Sequence, residues 1–180
     1  MRAGDACPEC ATPIVIDRAI EIGHIFQLGR KYAEALNLTV LDQNGKSQIV
    51  TMGSYGIGAT RAVAAIAEQT HDEIGLNWPA ELAPAKVHIV AAGKDDLLFE
   101  TALKLGTDLE ARGISVMLDD RRDASPGVKF KDAELIGNPY IVIVGKGLQD
   151  GKVELRIRKS GEKSELPVGD LISHLTKLIG

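Results

Sequence analysis

Between residues 87 and 144 the chain repeats one arrangement, a short apolar run followed by a helical stripe, and few folds accept it. Val87 to Ala92 is apolar apart from His88, so it reads as a strand covered on both faces. Asp95 to Arg112 places Leu98, Ala102, Leu105 and Leu109 on one stripe and stops at Gly113, which predicts a helix with one buried side. Ile114 to Leu118 reads as a second strand, Gly127 to Ile136 as a second helix and Ile141 to Val144 as a third strand. A βαβαβ run implies parallel strands flanked by helices. Val153, Leu155 and Ile157 then alternate with Glu154, Arg156 and Arg158, giving a strand with one wet face. After a turn near Gly161, a brief strand precedes a helix carrying Leu171, Leu175 and Leu178. The expectation for 86–180 is an α/β domain with a mixed five-stranded sheet and three helices.

The segment 77–85, Asn77-Trp78-Pro79 through Pro84, is framed by two prolines and reads as a linker between that domain and a different unit. In the earlier unit, Ile20, Ile22, Phe26 and Leu28 alternate with Glu21, Gly23, Ile25 and Gln27, which predicts a strand with His24 on its apolar side. A short helix from Arg30 to Leu36 follows. Asn44-Gly45 then joins a strand at Thr39 to Asp42 to one running through Ile49 to Met52, an antiparallel hairpin.

Net charge is −4, and the excess acid lies in residues 1–85, with six Lys and Arg against ten Asp and Glu. Residues 86–180 hold fifteen of each sign, so any contact with nucleic acid there is local rather than a bulk attraction. No apolar run approaches a membrane span of roughly 20 residues, and Met1 to Asp5 lacks a signal-peptide core, so a cytoplasmic protein with no membrane partner is expected. Cys7-Pro8-Glu9-Cys10 is half of a zinc-ribbon pattern with no second pair; it reads as a plain turn, without a metal.

Two segments carry the chemistry. In Gly53-Ser54-Tyr55-Gly56-Ile57-Gly58-Ala59-Thr60-Arg61, glycines lead into an alanine-rich helix that bears one cation near its start. Glycines allow close approach to a ligand, and a helix start offers free N–H groups suited to phosphate. Arg61 has Ile57, Gly58, Ala64 and Ala65 at helical spacing, so its anion comes from elsewhere: a distant carboxylate or a triphosphate. The spacing is neither that of a dinucleotide fold nor that of a P-loop. The second segment is Asp119-Asp120-Arg121-Arg122-Asp123, which follows a parallel strand and precedes a helix with Lys129, Phe130, Lys131, Asp132 and Glu134. It reads either as a solvated loop or as a set of groups suited to an unpaired base, with carboxylates accepting from guanine and cations holding phosphate. Phe130 reads as a stacking surface or as core.

Together, Gly23-His24-Ile25-Phe26-Gln27-Leu28-Gly29, the segment Met52 to Arg61, and Asp120-Arg121 followed by Pro126 to Gly137 resemble the bacterial-type prolyl-tRNA synthetases over nearly the whole chain. Gly53 to Arg61 resembles motif 3 of the class II synthetases. The resemblance implies a partial antiparallel catalytic sheet followed by an anticodon-binding domain. It divides the chain into an exit segment of an absent insertion domain (1–18), the C-terminal part of the catalytic core (19–76), a linker (77–85) and the anticodon-binding domain (86–180). It implies that Arg61 is catalytic and contacts the terminal phosphates of ATP, which enters with Mg²⁺ as a substrate complex. His24, Gln27, Gly53, Ser54, Gly56 and Gly58 would line the ATP and proline sites, His24 alternatively being a hydrogen-bonded core residue. Asp120, Arg121, Lys129, Phe130, Asp132 and Glu134 would meet the anticodon of proline tRNA.

Motifs 1 and 2 have no counterpart here, so the chain reads as the C-terminal part of a proline–tRNA ligase that forms a homodimer at full length. Alone, it is expected to hold no cofactor and to be inactive in aminoacylation. The alternative is a free-standing, non-catalytic tRNA-binding module or accessory subunit.

Overall fold

The structure, a computed structural model describing residues 1–180, turns the repeat of 87–144 into a parallel sheet. The chain divides into two units, 1–65 and 66–180, with the division inside one helix. The first unit contains β1 (Gly23–Gly29), α1 (Lys31–Ala35), β2 (Thr39–Leu41), β3 (Ser47–Ile49), β4 (Met52–Ile57) and the start of α2 (Ala59–Thr70). The second contains the rest of α2, then β5 (Val87–Ala91), α3 (Asp96–Glu110), β6 (Val116–Asp119), α4 (Pro126–Ile136), β7 (Tyr140–Val144), β8 (Lys152–Ile157), β9 (Lys163–Pro167) and α5 (Val168–Ile179). No helix is long and apolar enough to cross a membrane.

In the second unit the sheet order is β6-β5-β7-β8-β9, with β6, β5 and β7 parallel and the last two strands antiparallel. Alternation along β5 divides the core. Val87, Ile89 and Ala91 pack with Phe99, Ala102, Leu105 and Leu109 of α3 and Leu171 and Leu175 of α5. Val90 packs on the other face with Ile141, Ile143 and Ala133 of α4. The order β6-β5-β7 requires the chain to step one way from β5 to β6 and back the other way to β7. Right-handed crossovers then place α3 and α4 on opposite faces. Local signals agree with each helix. Asp95 caps α3 by accepting from Leu97 N–H, Ser125 caps α4 ahead of Pro126, and Gly137 ends α4 with φ of 78°.

The segment before β5 packs here rather than hanging free. Together with Arg158, it satisfies the carbonyls that the end of α4 leaves open. Arg158 Nε donates to Glu134 O at 3.0 Å, Leu76 N–H to Leu135 O at 3.0 Å, Trp78 Nε1 to Ile136 O at 3.0 Å and Trp78 N–H to Gly137 O at 3.3 Å. Arg158 also forks onto Asp72, both bonds at 2.7 Å.

In the first unit the hairpin of β2 and β3 forms as expected, but two boundaries move. The strand expected through Ile49 to Met52 breaks at Val50 and Thr51, and the glycine segment itself becomes β4, antiparallel to β1. A strand with two glycines shows little side-chain alternation to read, yet its backbone groups still need partners, which β1 provides. β1 starts at Gly23 rather than Ile20. Ala33 and Ala65 are the only buried hydrophobic residues of this unit, and Ile22, Ile25, Phe26, Tyr55 and Ile57 stay exposed.

Candidate functional site

The register of β1 and β4 sets the glycine segment. His24 lies opposite Gly56, Phe26 opposite Ser54, and Gln27 opposite Gly53. Directly paired residues share a face. His24, Ser54 and Gly56 therefore occupy one face of the ribbon, and Gln27 and Gly53 the other. The expected pocket residues are brought onto adjacent strands but not onto a single wall. None of Gly53, Gly56 and Gly58 has positive φ, so their value here is the space that they leave. Nothing lies within 4 Å of a Cβ built at Gly56, whereas one at Gly58 would sit 3.2 Å from Arg61 Cβ.

Arg61 is exposed, and its Nη1 donates to Glu21 O at 3.1 Å and lies 3.5 Å from Glu21 Oε1. The other Glu21 oxygen is 3.5 Å from His24 Nδ1, and the His24 ring stacks on Phe26 with centroids 4.0 Å apart. His24 is thus a surface ring rather than a core histidine. The anion beside Arg61 in this structure is a distant carboxylate from the stretch before β1. Such exposed pairs contribute little to stability, so Glu21 can yield to a stronger anion. Glu21 was not expected, because no spacing rule joins positions forty residues apart.

The second cluster is better built. Open α/β sheets bind ligands beyond the carboxyl ends of strands whose connections leave for opposite faces, and here those ends belong to β5 and β6. Lys129 fills that crevice. It is 1% exposed; its Nζ donates to Ala91 O at 2.8 Å and to Asp119 O at 3.4 Å, and lies 3.7 Å from Asp119 Oδ1. It therefore fastens the two strand ends together and is not presented to a ligand, contrary to its expected place among the anticodon contacts.

Asp119 in turn fixes Arg121. Arg121 Nε and Nη2 donate to its two oxygens at 3.0 and 2.7 Å, and Nη2 also reaches Asp132 at 2.7 Å. Burial pushes the Asp119 carboxyl up, but the Arg121 hydrogen bonds and the Lys129 charge outweigh this and hold it below the usual carboxylate range. Asp119 and Asp132 hold Arg121 protonated. Its place as the last residue of β6 distinguishes Asp119 from the other acids of the run.

These groups edge a cleft of about 330 Å³ between β6 and α4, lined by His88, Met117, Leu118, Asp119, Asp120, Arg121, Asp132, Leu135 and Ile136. Asp120 is exposed at its rim and takes no part in the ion pairs that tie the cluster together. The remaining expected contacts lie on the other flank of α4. Phe130 packs against the core of Val90, Ala133, Ile141 and Ile143, with the Arg156 guanidinium 5.1 Å over its ring. Glu134 accepts from Arg156 Nη1 at 3.3 Å. The structure thus groups Asp120, Arg121 and Asp132, and separates them from Phe130 and Glu134.

Two family models match the chain. Residues 86–178 match the family described as anticodon binding domain, and residues 9–70 match the tRNA synthetase class II core domain of the G, H, P, S and T enzymes. A proline–tRNA ligase of Paenarthrobacter aurescens is 56% identical over 179 residues, covering 99% of this chain and 30% of that protein. One of Streptomyces coelicolor is 58% identical over 176 residues, covering 98% of this chain and 31% of that protein. One of Corynebacterium efficiens is 54% identical over 179 residues, covering 99% and 30%. The chain spans about 30% of the length of these relatives. With part of the class II core at 9–70 and an anticodon binding domain over 86–178, the chain belongs to the class II aminoacyl-tRNA synthetase family and matches a portion of its prolyl members.

Proposed function

We propose that the chain is the part of a cytoplasmic proline–tRNA ligase that holds the anticodon of proline tRNA and supplies one arginine-bearing wall of the catalytic site. In this reading 1–18 leads out of an insertion domain, 19–76 completes the catalytic core, 77–85 connects, and 86–180 binds the anticodon. The observation that carries it is the cleft beside β6, where Asp120 is left free next to an Arg121 clamped by two carboxylates. An unstacked guanine presents two N–H donors that one carboxylate accepts together. The Arg121 fork uses Nε and Nη2, which leaves Nη1 for a base acceptor or a phosphate. On the other flank of α4 the Arg156 guanidinium, lying over the Phe130 ring, supplies the plane against which a neighbouring nucleotide stacks.

In catalysis the proline carboxylate attacks the α-phosphorus of ATP, bound as its magnesium complex, and pyrophosphate leaves. The terminal ribose hydroxyl of the tRNA then attacks the acyl carbon and AMP leaves. Arg61 exchanges Glu21 for the terminal phosphates and stabilises the charge that develops on them. His24, Ser54 and Gly56 border this site from one face of the β1–β4 ribbon, Gln27 and Gly53 from the other, and Gly58 from the turn between β4 and α2. Dimerisation belongs to the longer protein.

The direct test is binding of the 180-residue chain to an anticodon hairpin with the two guanines of the proline anticodon. A preference of roughly tenfold or more over a hairpin with both guanines replaced is expected; equal affinity overturns the anticodon reading. Proline-dependent ATP–pyrophosphate exchange by the longer protein tests the ligase, and exchange driven by another amino acid overturns the proline assignment.

A further inference from the structure

We propose that His88 contacts the base held in the cleft beside β6, its imidazole supplying a hydrogen bond to the base edge from the cleft floor. The proposal deepens the anticodon reading and rests on it. His88 interrupts a strand whose other residues, Val87, Ile89, Val90 and Ala91, are all apolar and buried. Its own exposure is 2%, and Nδ1 has no hydrogen-bond partner. A buried polar atom left unpaired destabilises a fold, so a polar ring at this position calls for an explanation.

Its neighbours do not provide one. Across the strands His88 faces Met117 and Ile141. The Met117 sulfur already accepts from Asn138 Nδ2 at 3.6 Å. The ring lines the cleft together with the apolar Met117, Leu135 and Ile136 and the Asp119, Arg121 and Asp132 cluster. The charged groups around it are Asp119 at the end of β6, Arg121 in the following loop and Asp132 on α4. Burial lowers the His88 pKa, with Asp119 opposing, Arg121 reinforcing and Asp132 opposing. The ring is therefore neutral near pH 7 and carries one donor and one acceptor.

A cleft with apolar walls, a neutral donor and acceptor on its floor, and a free carboxylate and a cation at its rim matches an aromatic base with several polar atoms along one edge. A half turn of the imidazole about the Cβ–Cγ bond exchanges each nitrogen with a carbon position. A nitrogen can thereby be presented to the cleft without moving β5.

Two readings on the 180-residue chain test this. His88→Phe keeps a ring and removes both nitrogens, whereas His88→Asn keeps an acceptor near the Nδ1 position. For the hairpin with both guanines, the Phe variant is expected to bind roughly tenfold more weakly than wild type, and the Asn variant to recover part of the loss. In the wild-type protein, the imidazole nitrogen resonances of His88 are expected to shift when that hairpin is added. Unchanged affinity in His88→Phe, or unchanged imidazole resonances on a hairpin that binds, overturns the proposal. The nitrogen measurement stands even where a variant does not fold. A wild-type chain that binds no hairpin overturns the anticodon reading instead, and this proposal with it.

Discussion

Arg121 and Lys129 are neighbours in the same cluster, yet one lies at the surface and the other in the core, and substitution separates their roles. Lys129 holds the carbonyls of Ala91 and Asp119 and stands beside the Asp119 carboxylate in a site that water does not reach. Lys129→Met keeps the apolar stem and removes the charge, leaving those groups unpaired. Breaking a buried pair costs about 3–5 kcal/mol, and Arg121 retains part of the interaction, so a loss of about 3 kcal/mol in urea unfolding is expected. A variant as stable as wild type would contradict this assignment. Asp119 gives a pH signature. Its folded pKa lies below the unfolded value of roughly 3.9, so its ionised form favours the fold above about pH 4. That contribution drains away as pH falls through the folded value. Asp72, lowered chiefly by Arg158, acts in the same direction. Asp119→Asn is expected to be less stable than wild type at pH 7 and to lose less stability between pH 5 and pH 3. An unaltered acid slope in urea melts would count against it.

Among the elements, α4 is the one on which the site depends, and its two ends differ in how far sequence discloses them. The N-terminal signals, Ser125 and Pro126, are local and were legible, as were the stripes of α3 and α5 and the apolar runs of β5 and β7, because period and composition alone define them. The C-terminal end depends on Trp78, Leu76 and Arg158, which arrive from segments far away in the chain, so no pattern announces them. The same limit hid Asp72 as a partner of Arg158 and β4 as a partner of β1. Conversely, the Asp120 to Glu134 group was legible as a cluster of residue types, but not as two flanks of a helix with Lys129 buried between them. Gly137 is where the end of α4 is most exacting. It has φ of 78°, and a Cβ there would collide with the carbonyl of Leu76. Gly137→Ala carries about 1–2 kcal/mol for the left-handed backbone alone. The collision adds to this by pushing 76–78 off the helix end. A total loss above 2 kcal/mol is expected in thermal or urea melts, with tryptophan fluorescence reporting release of Trp78. A loss under 1 kcal/mol with unchanged fluorescence would show that the end of α4 tolerates a side chain.

At the scale of the whole molecule the two units differ most in how much apolar surface they bury. Residues 66–180 carry two packed clusters on the two faces of one sheet, while the only hydrophobic residues buried in 1–65 are Ala33 and Ala65. β1 and β4 form a two-stranded ribbon with apolar side chains exposed on it. Isolated two-stranded ribbons are at best marginally stable in water. The chain covers about 30% of the length of its relatives, so the longer proteins have further segments available to pack on such surfaces. Local stability should therefore fall steeply between the units in the chain as it stands. In native-state hydrogen exchange, amides of β5 and β7 are expected to be protected up to the global unfolding free energy. Amides of 23–29 and 52–57 are expected to exchange several orders of magnitude faster. Because Arg61 depends on that ribbon for its surroundings, the same difference predicts that this chain binds an anticodon hairpin while showing no detectable affinity for ATP. Slow exchange in the ribbon together with ATP binding would show instead that the first unit is an autonomous nucleotide-binding fold.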